Sequence, residues 1–186
     1  MGTLDIGDIA PDFRLPGVRV VDGMVERRYF QLSQMRGTPV VLAFYPFDSS
    51  PGCTKQLCEY EDEFGGFEAL GADVWGISLQ GLNSHEKFAR ERNLSFPLLA
   101  DFPHGVAAEY GATFMGDLLI RRSVFIVDGD GVLRWKYVAT TGYLGHRSAH
   151  ELREKILEIF ASPAGKRFDL PAPDAADAIV VPSSAA

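Results

Sequence analysis

The sequence predicts a single α/β domain in which a sheet with parallel strands is covered by helices. Two observations carry this prediction: consecutive β-α-β patterns between residues 40 and 100, and a β-hairpin pattern on each side of them. At 186 residues with 46% hydrophobic content, the chain is long enough for one packed core and short for two. We expect one domain over residues 1–161 and a C-terminal extension over residues 162–186.

The first predicted element is an N-terminal β-hairpin. Asp22-Gly23 separates the runs Val18–Val21 and Met24–Phe30. An Asp-Gly pair between two such runs is the strongest short hairpin signal. We therefore expect the domain to open with a two-stranded ribbon.

The middle of the chain alternates between strand and helix patterns. Val40–Phe44 is an apolar, β-branched run and Asp73–Ser78 has the pattern of a buried strand, with a helix predicted over 53–70 between them. A polar helix over Ser84–Arg92 and a short strand over Phe96–Ala100 follow. Because the connections are short, these strands are expected to be parallel.

The last third of the chain predicts a second hairpin and a final helix. Gly129-Asp130-Gly131 joins strand patterns over Ser123–Asp128 and Val132–Val138. Ser148–Phe160 repeats apolar residues at helical spacing. Beyond Ser162 the composition shifts to Pro, Ala and Asp, which favours a surface-running or mobile extension.

Charge and composition argue against several functional classes. The formal net charge of -7 disfavours general binding to nucleic acids or anionic membranes, which attract basic proteins. No apolar run approaches the roughly 20 residues that span a bilayer. We expect a cytoplasmic protein, either a monomer or a homodimer. In such a reducing compartment, two cysteines close in sequence indicate catalysis or metal binding rather than a structural disulfide.

Cys53 lies where a helix is expected to begin. Ser50 is a residue type that caps helices, and Pro51 suits the first helical position because its missing N–H has no partner there. Cys53 then falls in the first turn, among unpaired backbone N–H groups and at the positive end of the helix dipole. This setting favours a thiolate over a thiol, and the thiolate is the nucleophilic form of cysteine.

Cys58, the second cysteine, follows five residues later in the same predicted helix. In an ideal helix the two Cα atoms are roughly 8.6 Å apart and the side chains point about 140° away from each other. A disulfide bridges Cα atoms up to about 7 Å apart without backbone movement. If the two cysteines form a redox pair, the helix must unwind for them to join.

With these residues in view, the sequence resembles the peroxiredoxins, most closely the bacterioferritin comigratory protein or peroxiredoxin Q subgroup. Pro46, Ser50 and Cys53 match the signature of proline, three residues, threonine or serine, two residues and cysteine. A second cysteine at Cys58 matches the subgroup whose resolving cysteine lies in the same helix. Residues 7–13 and 122–128 also match in order and placement, and Arg122 aligns with the active-site arginine of the family.

The resemblance implies a thioredoxin-like fold, with a central mixed β-sheet flanked by helices, and the reduction of hydroperoxides. Cys53 would attack the peroxide and Cys58 would resolve the sulfenic acid as a disulfide. Arg122 would hold the thiolate and the peroxide oxygens, Ser50 would orient the peroxide, and Pro46 would shield the sulfur from water. No cofactor or metal is implied. Electrons would come from thioredoxin or a similar dithiol.

Several alternatives stay open on the sequence alone. If Cys58 packs in the core, the protein would be a one-cysteine peroxidase that uses an external thiol. A dithiol–disulfide oxidoreductase acting on proteins is disfavoured, because the chain lacks a Cys-x-x-Cys motif. A redox sensor or holdase without turnover is the non-enzymatic alternative. Arg121 competes with Arg122 for the site, although adjacent strand residues face opposite sides.

Two further groups of residues receive plain interpretations. His146 and His150 nominally complete a zinc set with the two cysteines, but the spacing is far from that of a compact zinc site, so solvated histidines are the simpler expectation. The acidic run Glu59, Glu61, Asp62 and Glu63 is expected to be a solvated helix face.

Overall fold

The architecture is a twisted mixed sheet between two layers of packed side chains, seen in a computed structural model that describes residues 4–102, 105–140 and 145–161. The predicted extension over residues 162–186 lies outside the described residues. The strands of the main sheet are β1 (Arg14–Val21), β2 (Met24–Gln31), β3 (Val40–Phe44), β4 (Asp73–Ser78), β5 (Leu98–Ala100), β8 (Ser123–Val127) and β9 (Leu133–Val138). A separate ribbon consists of β6 (Thr113–Phe114) and β7 (Leu119–Ile120).

The strand order confirms the predicted mixed sheet. It runs β2-β1-β5-β4-β3-β8-β9, with β3, β4 and β5 parallel and the remaining neighbours antiparallel. Both predicted hairpins are present. The first turns at Asp22 and Gly23, which both have positive φ angles of 52° and 75°, as the tight hairpin turn of an Asp-Gly pair requires.

Five helices are found among the described residues, namely α1 (Pro51–Asp62), α2 (Phe64–Ala69), α3 (Leu82–Arg92), α4 (Gly105–Glu109) and α5 (Ala149–Ala161). The prediction of one helix over 53–70 is wrong, because the helix is interrupted at Glu63, with φ -104° and ψ 6°. The break lets Phe64 and Phe67 both turn into the core. The sequence prediction also missed a 3₁₀ turn at Leu32–Met35, helix α4 and the β6-β7 ribbon, elements too short to show a period.

The core is divided by the sheet into two layers. Along β3, Val41, Ala43 and Tyr45 at its end face one layer, while Val40, Leu42 and Phe44 face the other. This alternation follows from the period of two in a strand, and it explains why a strand buried on both faces reads as a continuous apolar run. The first layer includes side chains of α1, α2, α3 and α5, and the second includes those of α4 and the β6-β7 ribbon.

Candidate active site

Cys53 lies at the start of α1, just beyond the carboxyl end of the central strand β3. Pro51 occupies the beginning of the helix, and the Thr54 N–H donates to the Ser50 carbonyl at 2.8 Å. The N–H groups of Gly52 and Cys53 therefore belong to the first turn, where helix geometry supplies no intrahelical acceptor. The Cys53 side chain is only 1% exposed. A buried sulfur thus faces the positive end of a helix.

Arg122 is brought to Cys53 by strand pairing. Strand β8 runs antiparallel to β3 with Ser123 opposite Phe44, so the residue before β8 lies beside the carboxyl end of β3. Arg122 is 4% exposed, and its Nη2 donates to Cys53 Sγ at 3.5 Å. Arg121 points elsewhere, since its Nε donates to the Thr113 carbonyl at 2.7 Å. Of the two candidate arginines, the structure places Arg122 at the sulfur.

Gly52 allows the guanidinium group to come this close. A Cβ atom on residue 52 would lie 3.0 Å from Arg122 Nη2. The Gly52 carbonyl also accepts a hydrogen bond from Arg122 Nη1 at 3.2 Å. A side chain at this position would push against the buried arginine, so the small residue before Cys53 is part of the site geometry.

Gln56 and Tyr60 extend the site along the inner face of α1, and the sequence interpretation did not include them. Gln56 is fully buried; its Oε1 accepts a hydrogen bond from Arg122 Nη1, and its Nε2 donates to the Tyr60 hydroxyl at 3.1 Å. That hydroxyl donates to the Arg147 carbonyl at 2.8 Å. Burial raises the pKa of Tyr60 above its ordinary value, so the phenol stays a donor. Their spacing in the sequence could have indicated them, because positions 53, 56 and 60 share one face of a helix.

Pro46 and Ser50 lie in the loop that joins β3 to α1. Pro46 is buried. Ser50 occupies the N-cap position of α1, but the prediction that its side chain caps the helix is wrong. Its Oγ instead donates to the Phe47 carbonyl at 3.2 Å, within the loop. The hydroxyl is therefore used to shape the loop beside Cys53.

Cys58 lies on the same helix in a different environment. Both cysteines are free thiols, and Cys58 is half-buried. Burial raises the pKa of the Cys58 thiol, as do the carboxylates of Asp62 and Glu61, whereas Arg92 acts in the opposite direction. Because α1 is continuous from Pro51 to Asp62, Cys58 cannot reach the Cys53 sulfur without unwinding of the helix.

Three carboxylates of the acidic run on and just after α1 attach the helix to its neighbours, so the prediction of a solvated face is wrong for them, whereas Asp62 is exposed as predicted. Glu59 accepts hydrogen bonds from His146 Nε2 at 2.8 Å and from the Ala149 N–H at the start of α5 at 3.0 Å. Glu61 accepts a hydrogen bond from the Ser95 N–H at 2.8 Å, and Glu63 pairs with Arg153 at 2.6 Å.

His146 is therefore also not a solvated histidine, whereas His150 is largely exposed. Among the described residues, no group of three or more His, Cys, Asp or Glu side chains is arranged to hold a metal ion. Within the same residues, we find no helix with the length and apolar character needed to cross a membrane.

Comparisons with known proteins identify the family of the chain. Residues 6–136 match the AhpC/TSA family. The chain is 39% identical over 138 residues to the chloroplastic peroxiredoxin Q of Oryza sativa subsp. japonica, covering 73% of this chain and 60% of that protein. It is 35% identical over 147 residues to peroxiredoxin Bcp of Bacillus subtilis, covering 73% of this chain and 87% of that protein. The match thus spans only about 60% of the length of the plant relatives.

The fold is likewise that of known peroxiredoxin structures. The crystal structure of Enterococcus faecalis AhpC superimposes on this chain with a TM-score of 0.75 at 24% sequence identity. The superposition covers 92% of this chain and 100% of the Enterococcus faecalis chain. At this identity the likeness supports the thioredoxin-like α/β fold, and the family assignment rests on the sequence matches. The chain belongs to the AhpC/TSA family of peroxiredoxins, and its curated relatives are peroxiredoxin Q and Bcp proteins.

Proposed function

We propose that this protein is a thiol-dependent peroxidase that reduces hydrogen peroxide and organic hydroperoxides. The observation that carries the proposal is the position of Cys53 Sγ, buried at a helix N-terminus and 3.5 Å from Arg122 Nη2. The guanidinium charge and the helix dipole both stabilise a thiolate. The same groups stabilise negative charge on an oxygen that reacts with the sulfur.

In the first step, the Cys53 thiolate attacks the terminal oxygen of the hydroperoxide and the O–O bond breaks. The sulfur becomes a sulfenic acid, and the leaving alkoxide or hydroxide takes a proton to become alcohol or water. Arg122 and the Cys53 N–H are the donors toward the peroxide oxygens. Ser50 holds the loop that borders the peroxide, and buried Pro46 limits the access of water to the sulfur.

In the second step, Cys58 attacks the sulfenic acid, forms a disulfide with Cys53 and releases water. This step requires the first turns of α1 to unwind, because the two Cα atoms in an intact helix are roughly 8.6 Å apart. A thioredoxin-like dithiol protein then reduces the disulfide and restores both thiols. The need for such a donor is the reason to propose the cytoplasm, a reducing compartment, as the place of action.

Residues 1–161 are proposed to form the catalytic domain, with residues 162–186 as an extension that the domain does not need. All groups of the proposed site lie between Pro46 and Arg147. Deleting residues 162–186 should leave the Tm and the rate of peroxide reduction nearly unchanged. A large loss of either quantity would contradict this division.

The test is stopped-flow tryptophan fluorescence of the reduced protein mixed with hydrogen peroxide. Trp135 packs against the same core layer as Cys53 and α1, whereas Trp75 lies in the opposite layer. We therefore expect Trp135 to report the change, and a Trp75→Phe variant to retain most of the signal. Wild type, Cys53→Ser and Cys58→Ser are compared at several peroxide concentrations.

A fast phase proportional to peroxide and absent in Cys53→Ser is expected, followed by a slower, concentration-independent phase absent in Cys58→Ser. If Cys58→Ser lacks the slow phase but still consumes peroxide over many turnovers with an external thiol, the protein is a one-cysteine peroxidase. A wild-type reaction no faster than that of a free thiol, verified by thiol titration, would overturn the peroxidase proposal. It would favour a redox sensor or holdase.

A further inference from the structure

His85 is a fully buried histidine of α3 that the proposed chemistry does not use. Its side chain is 0% exposed, and both ring nitrogens have partners. Nδ1 lies 2.9 Å from Oδ2 and 3.1 Å from Oδ1 of Asp48, and Nε2 lies 3.2 Å from the Leu99 carbonyl oxygen. A histidine placed this way links α3 to strand β5 and to the loop before Cys53.

Both ring nitrogens of His85 face oxygen atoms that accept hydrogen bonds, the Asp48 carboxylate on one side and the Leu99 carbonyl on the other. The ring is therefore tied to two separate segments of the chain. Burial alone would raise the pKa of Asp48, but the hydrogen bonds and charge of His85, together with Ser84 and Tyr45, lower it overall. Asp48 and His85 therefore form a buried hydrogen-bonded pair.

Asp48 is the anchor of the loop between β3 and α1. Its carboxylate also accepts hydrogen bonds from the Tyr45 hydroxyl at 2.7 Å and from Ser84 Oγ at 2.6 Å. Its backbone N–H donates to Gln80 Oε1 at 3.2 Å. These bonds attach the loop to the end of β3, to α3 and to the segment that follows β4.

The next residue in the loop is held in a conformation that side chains rarely adopt. Ser49 has a φ angle of 57°, in the left-handed region that residues other than glycine rarely occupy. Ser50 follows, and its Oγ reaches back to the Phe47 carbonyl. A strained residue persists when its surroundings fix it on both sides. Here the fixed point on one side is Asp48, and on the other it is the start of α1.

We propose that His85 is a positioning residue for the peroxide reaction, acting through Asp48 on the loop that places Pro46 and Ser50 beside Cys53. This inference rests on the proposed function. The buried hydrogen bonds of His85 and Asp48 hold the loop in its strained form before substrate arrives, so the groups around the sulfur are already in place. It does not touch the sulfur, and the nucleophilicity of Cys53 does not depend on it.

The test uses two substitutions that split the two hydrogen bonds of the ring. In His85→Asn the amide nitrogen occupies the place of Nδ1 and keeps the bond to Asp48, whereas in His85→Gln it occupies the place of Nε2 and loses that bond. Both variants are neutral, so they differ in which contact remains rather than in charge. Exposed His150→Gln is the control. All variants are made in the Cys58→Ser protein, in which Cys53 is the only thiol.

Two rates are measured for each variant: the reaction of Cys53 with hydrogen peroxide and its alkylation by iodoacetamide. Peroxide reduction needs the organised loop, while alkylation needs mainly an accessible thiolate. We expect His85→Gln to slow the peroxide reaction by up to about 100-fold, the size of effect that misplacement by about 1 Å causes. Alkylation should change little, and His85→Asn should recover most of the peroxide rate.

Equal peroxide rates in His85→Gln and the Cys58→Ser parent would overturn the inference, as would equal losses in both rates. Asp48→Asn, which replaces one acceptor oxygen by a donor, provides the same comparison if His85→Gln does not fold, as judged by circular dichroism. A parent protein that itself reacts no faster than a free thiol would contradict the proposed function. In that case the reaction with peroxide is slow in every variant. Failure of the proposed function can therefore be told apart from failure of the inference about His85.

Discussion

The two cysteines of α1 occupy the same helix but opposite chemical environments. Cys53 is buried, faces the helix N-terminus and receives a hydrogen bond from Arg122. Cys58 is half-buried beside Asp62 and Glu61, and its pKa is raised by burial and by these carboxylates. A guanidinium group faces one sulfur, whereas carboxylates lie near the other. The difference between the two thiols therefore comes from the neighbours of each sulfur rather than from the cysteines themselves.

The two regions are also held in place by different kinds of contact. Around Cys53 a buried chain of hydrogen bonds runs from Arg122 through Gln56 and Tyr60 to the Arg147 carbonyl. Beyond Cys58, partly exposed carboxylates such as Glu59 attach α1 to its neighbours. Buried polar chains are costly to break, while exposed ion pairs contribute little. We therefore expect changes near Cys53 to have larger effects than changes near Cys58.

The largest effect is expected when the charge beside Cys53 is removed. Arg122→Met should lower the rate of the first reaction with peroxide by about 10²- to 10³-fold, the loss typical of one donor to a developing negative oxygen. Arg121→Met is the matched control, because that neighbour bonds to the Thr113 carbonyl instead. Stopped-flow fluorescence measures both. Equal losses in the two variants would show that the effect is not specific to the site.

The second effect concerns the support behind that charge. Gln56→Leu removes one buried acceptor of Arg122 Nη1, which keeps the Gly52 carbonyl, and the donor to the Tyr60 hydroxyl, which keeps the Arg147 carbonyl. We expect the free energy of unfolding to fall by about 1–3 kcal/mol and the peroxide reaction to slow. Gln56→Glu keeps an acceptor for Arg122 and should slow it less. Urea denaturation and stopped-flow kinetics check the pair, and an unchanged peroxide rate in Gln56→Leu would contradict the role.

A smaller effect is expected where α1 is attached to α5. Glu59→Ala removes the acceptor for the Ala149 N–H and the partner of His146. The unfolding free energy should fall by about 1 kcal/mol, as for loss of a helix cap. Because α1 must unwind for Cys58 to reach Cys53, disulfide formation should become faster. Glu68→Ala, an exposed position of α2, is the control; slower disulfide formation in Glu59→Ala would contradict the unwinding step.

The smallest effect is a shift in the titration of Cys58. In a Cys53→Ser protein, the pH dependence of iodoacetamide alkylation should show a midpoint above the ordinary thiol value, because the folded environment raises the pKa of Cys58. Asp62→Asn removes a negative charge and should lower this midpoint. Arg92→Gln removes a positive charge and should raise it. Shifts in the same direction in both variants would mean that the local charges do not govern this thiol.

Much of the Cys53 region was predictable from the sequence because its signals are local. The apolar run of β3, the turn residues after it and Pro51 at the helix start all act within a few residues of one another. The break at Glu63 was not predictable in this way, because residues 53–70 keep a helical pattern throughout. Packing of Phe64 and Phe67 into one core layer decided it.

By itself, the sequence determined the fold class, the placement of Cys53 in the first turn of a helix, the family resemblance and the candidate residues. Only the tertiary structure decided which of two adjacent arginines meets a sulfur 69 positions away, since that depends on the register of β8 against β3. It also decided that Gln56 supports Arg122 and that His85 is buried against Asp48. Local patterns report backbone conformation, whereas the partner of a buried polar group depends on which distant segments pack together.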